Sequence, residues 1–220
     1  MKVLFIGGTG IISSACSELA VERGIELYLF NRGESKRPVP EGARMLRGDW
    51  QDAESAKRAL QGMAFDAVIE WIAYTPEQVQ RDIQLFRDRA GQYVFISTAS
   101  VYQTPPVSLP VTESTPLDNP VWQYSRDKIA CENLLVQAYR EHKFPGTIVR
   151  PSHTYDRTML PIHGGYTMID RMRKGKPVIV HGDGTSIWAL TRSADFAKPF
   201  VKLFGNARSE EHTSELQSQR

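Results

Sequence analysis

Residues 1–24, MKVLFIGGTGIISSACSELAVERG, restrict the possible folds more than any other part of this chain. A short apolar run, KVLFI, passes through GGTGIIS into an amphipathic segment of helical period. A strand, a tight glycine turn and a helix start leave no side chains over the turn. Backbone N–H groups and the helix N-terminus can then approach a pyrophosphate. The alternation continues with IELYLF, ARMLRG and DAESAKRALQG. Strands and helices that take turns in this way form a parallel sheet with helices on its faces. Further strands are expected at 66–70, 92–97 and 146–150, and helices near 76–90 and 122–142. Residues 104–120, rich in proline and without helical period, read as a loop. Beyond residue 150 the pattern loosens into short strands and two helices, near 167–174 and 193–205.

The composition suits a soluble globular protein: 41% of the 220 residues are hydrophobic, enough for a buried core, and the net charge is +2. Acids and bases intermix, so no nucleic-acid partner is demanded. Cys16 and Cys131 are far apart without metal-ligand spacing, which fits buried thiols in a reducing cytoplasm. His163 and His181 likewise lack partners at such spacing, so no metal is expected. No stretch approaches the roughly 20 apolar residues of a membrane span.

In GGTGIIS, Gly7, Gly10 and Ser13 occupy a G-x-x-G-x-x-G spacing, with Ser13 in place of the third glycine. This position, between strand and helix, favours dinucleotide binding over a bare turn. The place about 20 residues on, where an acid would hold the adenosine ribose, reads FNRG. Asn31 offers no carboxylate, whereas Arg32 could pair with a 2′-phosphate, so NADP is mildly favoured over NAD. The segment YSRDK puts Tyr124 and Lys128 four residues apart, on one face of a helix. That spacing alone decides little, since Tyr139 and Lys143 repeat it.

Taken together these segments resemble the extended short-chain dehydrogenase/reductase family, the NAD-dependent epimerase/dehydratase group, in order from Met1 to about Phe204. GGTGIIS resembles its nucleotide turn, implying cofactor contacts from Gly7, Thr9, Gly10, Ile11 and Ile12. RGDW, with Asp49 and Trp50, resembles the position near adenine. In DAVIEWIA, Trp71, Ile72 and Ala73 resemble the fourth-strand cofactor lining. FISTASVYQ resembles the motif whose hydroxyl is catalytic, which puts Thr98 in that role with Ser97 beside it. YSRDK resembles the Y-x-x-x-K signature, RPSHTYD the segment after the sixth strand with Pro151 and His153, and HGDGTSIW the substrate-region loop. Departures from the family pattern are Ser13, Glu70 and Trp71 for His-Leu, Gln103 for Gly and Asp156 for Gly. They point toward an atypical branch that includes chloroplast RNA-binding relatives.

The resemblance implies a Rossmann-type doubly wound α/β domain over 1–155 and a partial substrate lobe over 156–207, interleaved with the Rossmann core. It also implies a homodimer through the helices near 76–90 and 122–142. Residues 208–218, RSEEHTSELQS, match the translation of a widely used sequencing adapter, so 208–220 is expected to be a non-native tail.

The implied chemistry is hydride transfer on a nucleotide-linked sugar or polyol. A tyrosine base with a solution pKa near 10 needs about 4 kcal/mol of bias to work near pH 7. A lysine ammonium about 4 Å away at an effective dielectric of about 20 supplies roughly that much. Lys128 would also hold the nicotinamide ribose, and Thr98 would donate to the developing alkoxide. Ser100, His153, Trp188 and Arg192 are the candidates for the substrate side. The run RMRKGK, 171–176, reads as a solvated helix end. The alternative function is a nucleotide-binding module that has turned to RNA or protein binding.

Overall fold

The computed structural model describes residues 1–185 and 187–206. Six parallel strands form the main sheet: β1 (Lys2–Ile6), β2 (Glu26–Asn31), β3 (Arg44–Arg47), β4 (Ala67–Glu70), β5 (Tyr93–Ile96) and β6 (Gly146–Val149), in the order β3-β2-β1-β4-β5-β6. Apart from the edge strand β3, which has no fully buried residue, these strands are runs of mostly buried, mostly apolar residues, as a sheet covered on both faces requires. The chain order reverses between β1 and β4, and ligands of such sheets bind in the crevice at that switch point.

On one face lie α1 (Ile11–Glu22) and, from the far end of the described chain, α6 (Ser193–Phe200). Phe196, Phe200 and Phe204 pack there against Val3, Phe5 and Leu29. The other face carries α2 (Ala53–Ala59), α3 (Pro76–Phe86) and α4 (Gln123–His142), with Phe30, Trp50, Phe86, Tyr93, Phe95 and Phe144 at its centre. A separate two-stranded parallel sheet pairs β7 (His153–Tyr155) with β8 (Leu190–Arg192), and α5 (Tyr166–Arg173) lies between them in the chain.

The expected elements are present, with shorter ends. The helix expected over 76–90 stops at Phe86, and the one expected over 193–205 gives way to a 3-10 turn at Val201–Leu203. The loop 104–120 is tied back by a bridge between Tyr102 and Leu117. The adapter-like segment 208–220 lies outside the described residues, as does Ala207.

Candidate active site

At the switch point the carboxyl ends of β1, β2, β4 and β5 open into a cleft of about 860 Å³. Its floor is the glycine turn. Gly7 and Gly8 have φ of +105° and +91°, in the region that favours glycine. A Cβ on Gly7 would press on Ile72 and Trp71 at 3.1 and 3.2 Å, and one on Gly8 would lie 2.7 Å from Leu29 Cδ2. Ser13, the departure from the glycine pattern, has a structural reason: its hydroxyl accepts the backbone N–H of Gly10 at 2.7 Å and so caps α1. Ser17 donates to the Gly8 carbonyl at 2.8 Å and fixes the turn on the helix. The first-turn N–H groups of α1 have no intrahelical acceptor and lie at the cleft, so a nucleotide pyrophosphate fits this cradle.

Asn31, Arg32, Asp49 and Trp50 line one end of the cleft, with Glu34, Ser35 and Gly48, which no motif singles out. Asn31 is partly committed: its amide donates to the Gly7 carbonyl at 3.4 Å and its oxygen accepts from Gly33 at 2.8 Å. Exposed Arg32 pairs with Glu34 at 3.3 Å. The Trp50 ring itself is packed into the core. It is 3% exposed, packed between Phe30 and Phe86, and its indole donates to Asp82 at 3.1 Å.

At the other end Thr98, Tyr124 and Lys128 come together with Ile72, Tyr74 and Pro151. Ser97 and Thr98 are adjacent hydroxyls with separate tasks. Ser97 is buried and donates to Glu132, which Arg150 grips at 2.7 Å while also donating to the Tyr102 hydroxyl at 2.9 Å. Thr98 is the one that faces Tyr124, backed by the hydroxyl of Ser100 at 3.1 Å, itself 2.8 Å from that of Ser125. Ser100 is therefore a second layer behind Thr98 rather than cleft wall.

Lys128 is 2% exposed. Its ammonium donates to the carbonyls of Ala73 and Ile96, each at 2.7 Å. It lies 4.5, 4.9 and 5.9 Å from the ring centroids of Phe95, Tyr74 and Tyr124. Ala73 thus acts through its carbonyl from beneath the cleft. Burial pulls the Lys128 pKa down to about 8, opposed by the Cys131 thiol and by Glu70 and Glu132. Burial also raises the Tyr124 phenol above its ordinary range, the Tyr74 phenol adds to this, and the Thr98 hydroxyl works against it. The expected lowering of Tyr124 by an ammonium about 4 Å away is thus not produced by the protein groups: the ammonium is directed to two carbonyls and the phenol is desolvated.

His153, Trp188 and Arg192 are not in the cleft wall. The His153 ring meets Trp188 edge-on at 5.4 Å beside a second hollow, shared with Arg157 and His163. Arg192 ends β8. Tyr139 and Lys143, the repeat of the Tyr/Lys spacing, lie at the far end of α4, with the Lys143 ammonium 5.4 Å from the Tyr139 ring. Among the described residues no His, Cys, Asp and Glu group has metal-binding geometry, and no helix is long and apolar enough to cross a membrane.

A six-stranded parallel sheet with a glycine turn at its switch point, and Thr, Tyr and Lys converging on the same cleft, define a protein of the Rossmann-type fold. The NAD dependent epimerase/dehydratase family matches residues 3–216, and the chain belongs to that family. Among curated relatives it is 31% identical to a UDP-glucose 4-epimerase of Lactobacillus helveticus over 68% of this chain and 51% of that protein. It is 26% identical to the chloroplast stem-loop binding protein of 41 kDa b of Arabidopsis thaliana, over 94% of this chain and 56% of that one. The chain therefore spans about half the length of these relatives. In fold it is similar to a dTDP-glucose 4,6-dehydratase from Bacillus anthracis solved with NAD, at a TM-score of 0.83 and 17% identity, covering 100% of this chain and 76% of that one. The Thermus thermophilus UDP-glucose 4-epimerase, also solved with NAD, superposes with a TM-score of 0.75 at 23% identity over 93% of this chain and 74% of that one.

Proposed function

We propose that this chain carries the cofactor cleft and acid/base apparatus of an NAD(P)-dependent epimerase/dehydratase-type oxidoreductase acting on a nucleotide-linked sugar or related polyol. The observation that carries this reading is the convergence of Thr98, Tyr124 and Lys128 on the cleft floored by the Gly7–Gly8 turn. A nicotinamide nucleotide in that cleft supplies hydride acceptance and, when oxidised, a positive ring. With that positive ring adding to the Lys128 charge, Tyr124 would release its own proton to solvent and, as the phenolate, take the hydroxyl proton of the substrate carbinol. Thr98 donates a hydrogen bond to the oxygen on which charge develops. Lys128, held by Ala73 and Ile96, contributes positive charge beneath Tyr124 and an N–H toward the nicotinamide ribose. Several relatives and structural neighbours are nucleotide-sugar epimerases or dehydratases, which supports the substrate class. Arg32 favours NADP, while Glu34 beside it offers a carboxylate to a ribose hydroxyl, so calorimetry with each nucleotide is the deciding experiment. Binding of either supports the reading, and binding of neither overturns it.

The 26% identity to a stem-loop binding protein favours a second reading, a nucleotide-binding module that binds RNA. Parts of the basic run on α5 are already engaged, since Lys174 pairs with Asp170 at 2.8 Å and Arg171 donates to the Pro177 carbonyl. A gel shift with structured RNA that lacks salt-sensitive binding removes this reading. Pairing of two copies across α3 and α4 is the expected oligomer, which light scattering would test.

A further inference from the structure

Three aromatic rings meet at the acid/base end of the cleft, and only one of them has a task in the chemistry above. The Tyr124 ring has Trp122 as one neighbour, at 4.8 Å between centroids, and Tyr74 as another, at 6.0 Å. Tyr74 lines the cleft and is 48% exposed, and Trp122 is 55% exposed. Neither ring hangs from a loose segment. Asn119, itself buried, accepts the backbone N–H of Val121 at 3.1 Å and of Trp122 at 3.0 Å, and donates to the Ser100 carbonyl at 2.9 Å. Arg126 donates to the Pro120 carbonyl at 2.8 Å, and the Trp122 carbonyl accepts the N–H groups of Ser125 and Arg126. Tyr74 follows the Ala73 carbonyl that takes the Lys128 ammonium, and its own N–H donates to the Gln78 side chain at 2.6 Å.

A fixed backbone therefore holds two large aromatic side chains half in water beside the reacting phenol, and aromatic surface held exposed at a cleft is a contact surface. What it contacts follows from what Tyr124 needs. A carbinol that gives its proton to Tyr124 brings the rest of its own ring within reach of the two neighbouring side chains. An aromatic face is apolar and carries the negative side of the ring quadrupole. It suits the row of weakly positive C–H groups on one side of a pyranose, whose hydroxyls point outward to water and to polar groups. An open-chain polyol offers no such continuous face.

We propose that Tyr74 and Trp122 form an aromatic platform that holds the pyranose ring of a nucleotide-linked sugar against Tyr124. The platform rests on the function proposed above and deepens it, because it gives recognition of the sugar to two residues outside the Thr98, Tyr124 and Lys128 set.

The test titrates UDP-glucose and UDP into the full chain by calorimetry, with and without NAD. The sugar should tighten binding about tenfold over UDP in the wild type. Tyr74→Ala combined with Trp122→Ala should bring the two ligands within about twofold of each other while UDP itself binds as before. Tyr74→Phe combined with Trp122→Phe keeps both aromatic faces and should keep the margin. A wild type that binds UDP-glucose no tighter than UDP overturns the platform, as does an alanine pair that keeps the margin or a phenylalanine pair that loses it. A wild-type dimer that the alanine pair dissociates in light scattering also overturns it, since the rings would then serve a second copy of the chain. If the alanine pair does not fold, fluorescence decides. The Trp122 emission is the part missing in Trp122→Phe; UDP-glucose and not UDP should change it, and an unchanged emission overturns the platform. Failure of NAD(P) binding sinks the functional reading, whereas NAD binding with no margin for the sugar sinks the platform alone.

Discussion

At the residue scale, Ser97 and Thr98 show how two adjacent hydroxyls divide. Thr98→Val leaves Ser97 bonded to Glu132 and removes only the donor beside Tyr124. We expect kcat to fall by about 10²–10³ with cofactor affinity unchanged, measured by steady-state kinetics and calorimetry. Ser97→Ala should do the reverse: activity survives while the loss of a buried hydrogen bond to Glu132 costs about 1–2 kcal/mol in urea unfolding. Equal activity losses in the two variants would refute the assignment. Tyr124→Phe should abolish turnover by at least about 10²-fold and leave the cofactor Kd in place, since Lys128 keeps its two carbonyl partners without the phenol. Tyr124 and Lys128 were legible in the sequence because of the company they keep in chain order. What the spacing did not reveal is that the ammonium is spoken for by backbone, since carbonyl positions follow from the turn after β4 and not from side-chain identity.

At the element scale, β4 ends on a buried acid, Glu70, and α3 buries another, Asp82, and no pattern announces either. A charge at the end of an apolar strand, as in AVIE, was the available signal, and Glu70 was visible only as a departure from the family pattern. Asp82 could not be read because it sits in an ordinary amphipathic helix, and its burial depends on Trp50 from the turn after β3 and Tyr93 from the start of β5. The two buried acids have a stability consequence. Burial raises the Asp82 carboxyl to about 6, with Glu70, Tyr93, Arg81 and Trp50 opposing it, and burial and Asp82 raise Glu70. A carboxyl raised on folding binds its proton more tightly in the folded chain. Its contribution is therefore complete below the unfolded value of 3.8 and is lost as pH climbs through about 6. Relative to the Glu70→Gln, Asp82→Asn variant, the wild type should lose on the order of 3 kcal/mol between pH 4 and pH 6. Urea unfolding at pH 4, 5 and 6 measures it, and a constant difference between the two proteins would contradict the raised carboxyls.

At the scale of the whole molecule, the doubly wound sheet was legible throughout, because strand and helix periods repeat locally, whereas the links that shape the cleft join distant parts of the chain. Arg37 lies two residues beyond the cleft-lining Ser35, and Asp156 two beyond Thr154. Arg37 donates to Asp156 Oδ2 at 2.5 Å and to the Thr158 hydroxyl at 2.5 Å, tying the loop after β2 to the loop after β7 beside the cleft. Asp156 was noted in the sequence only as a substitute for a glycine. Burial works against its charge, yet the hydrogen bonds from Arg37 and Thr158 and the Arg37 charge hold its pKa down at about 2. A depressed carboxyl gives stability that is present above 3.8 and lost only as pH falls through about 2, so Asp156 stays ionised and able to pair with Arg37 near neutral pH. We expect this link beside the cleft to slow the departure of a nucleotide seated on the glycine turn. A charge-assisted pair of this kind is worth about 1–2 kcal/mol after screening, hence roughly 5- to 30-fold in a rate that requires its rupture. Arg37→Ala and Asp156→Ala should each speed nucleotide release by that factor in stopped-flow displacement, and the double variant should add little to either. Release rates that match the wild type, or effects that multiply in the double variant, would show that the two walls move independently.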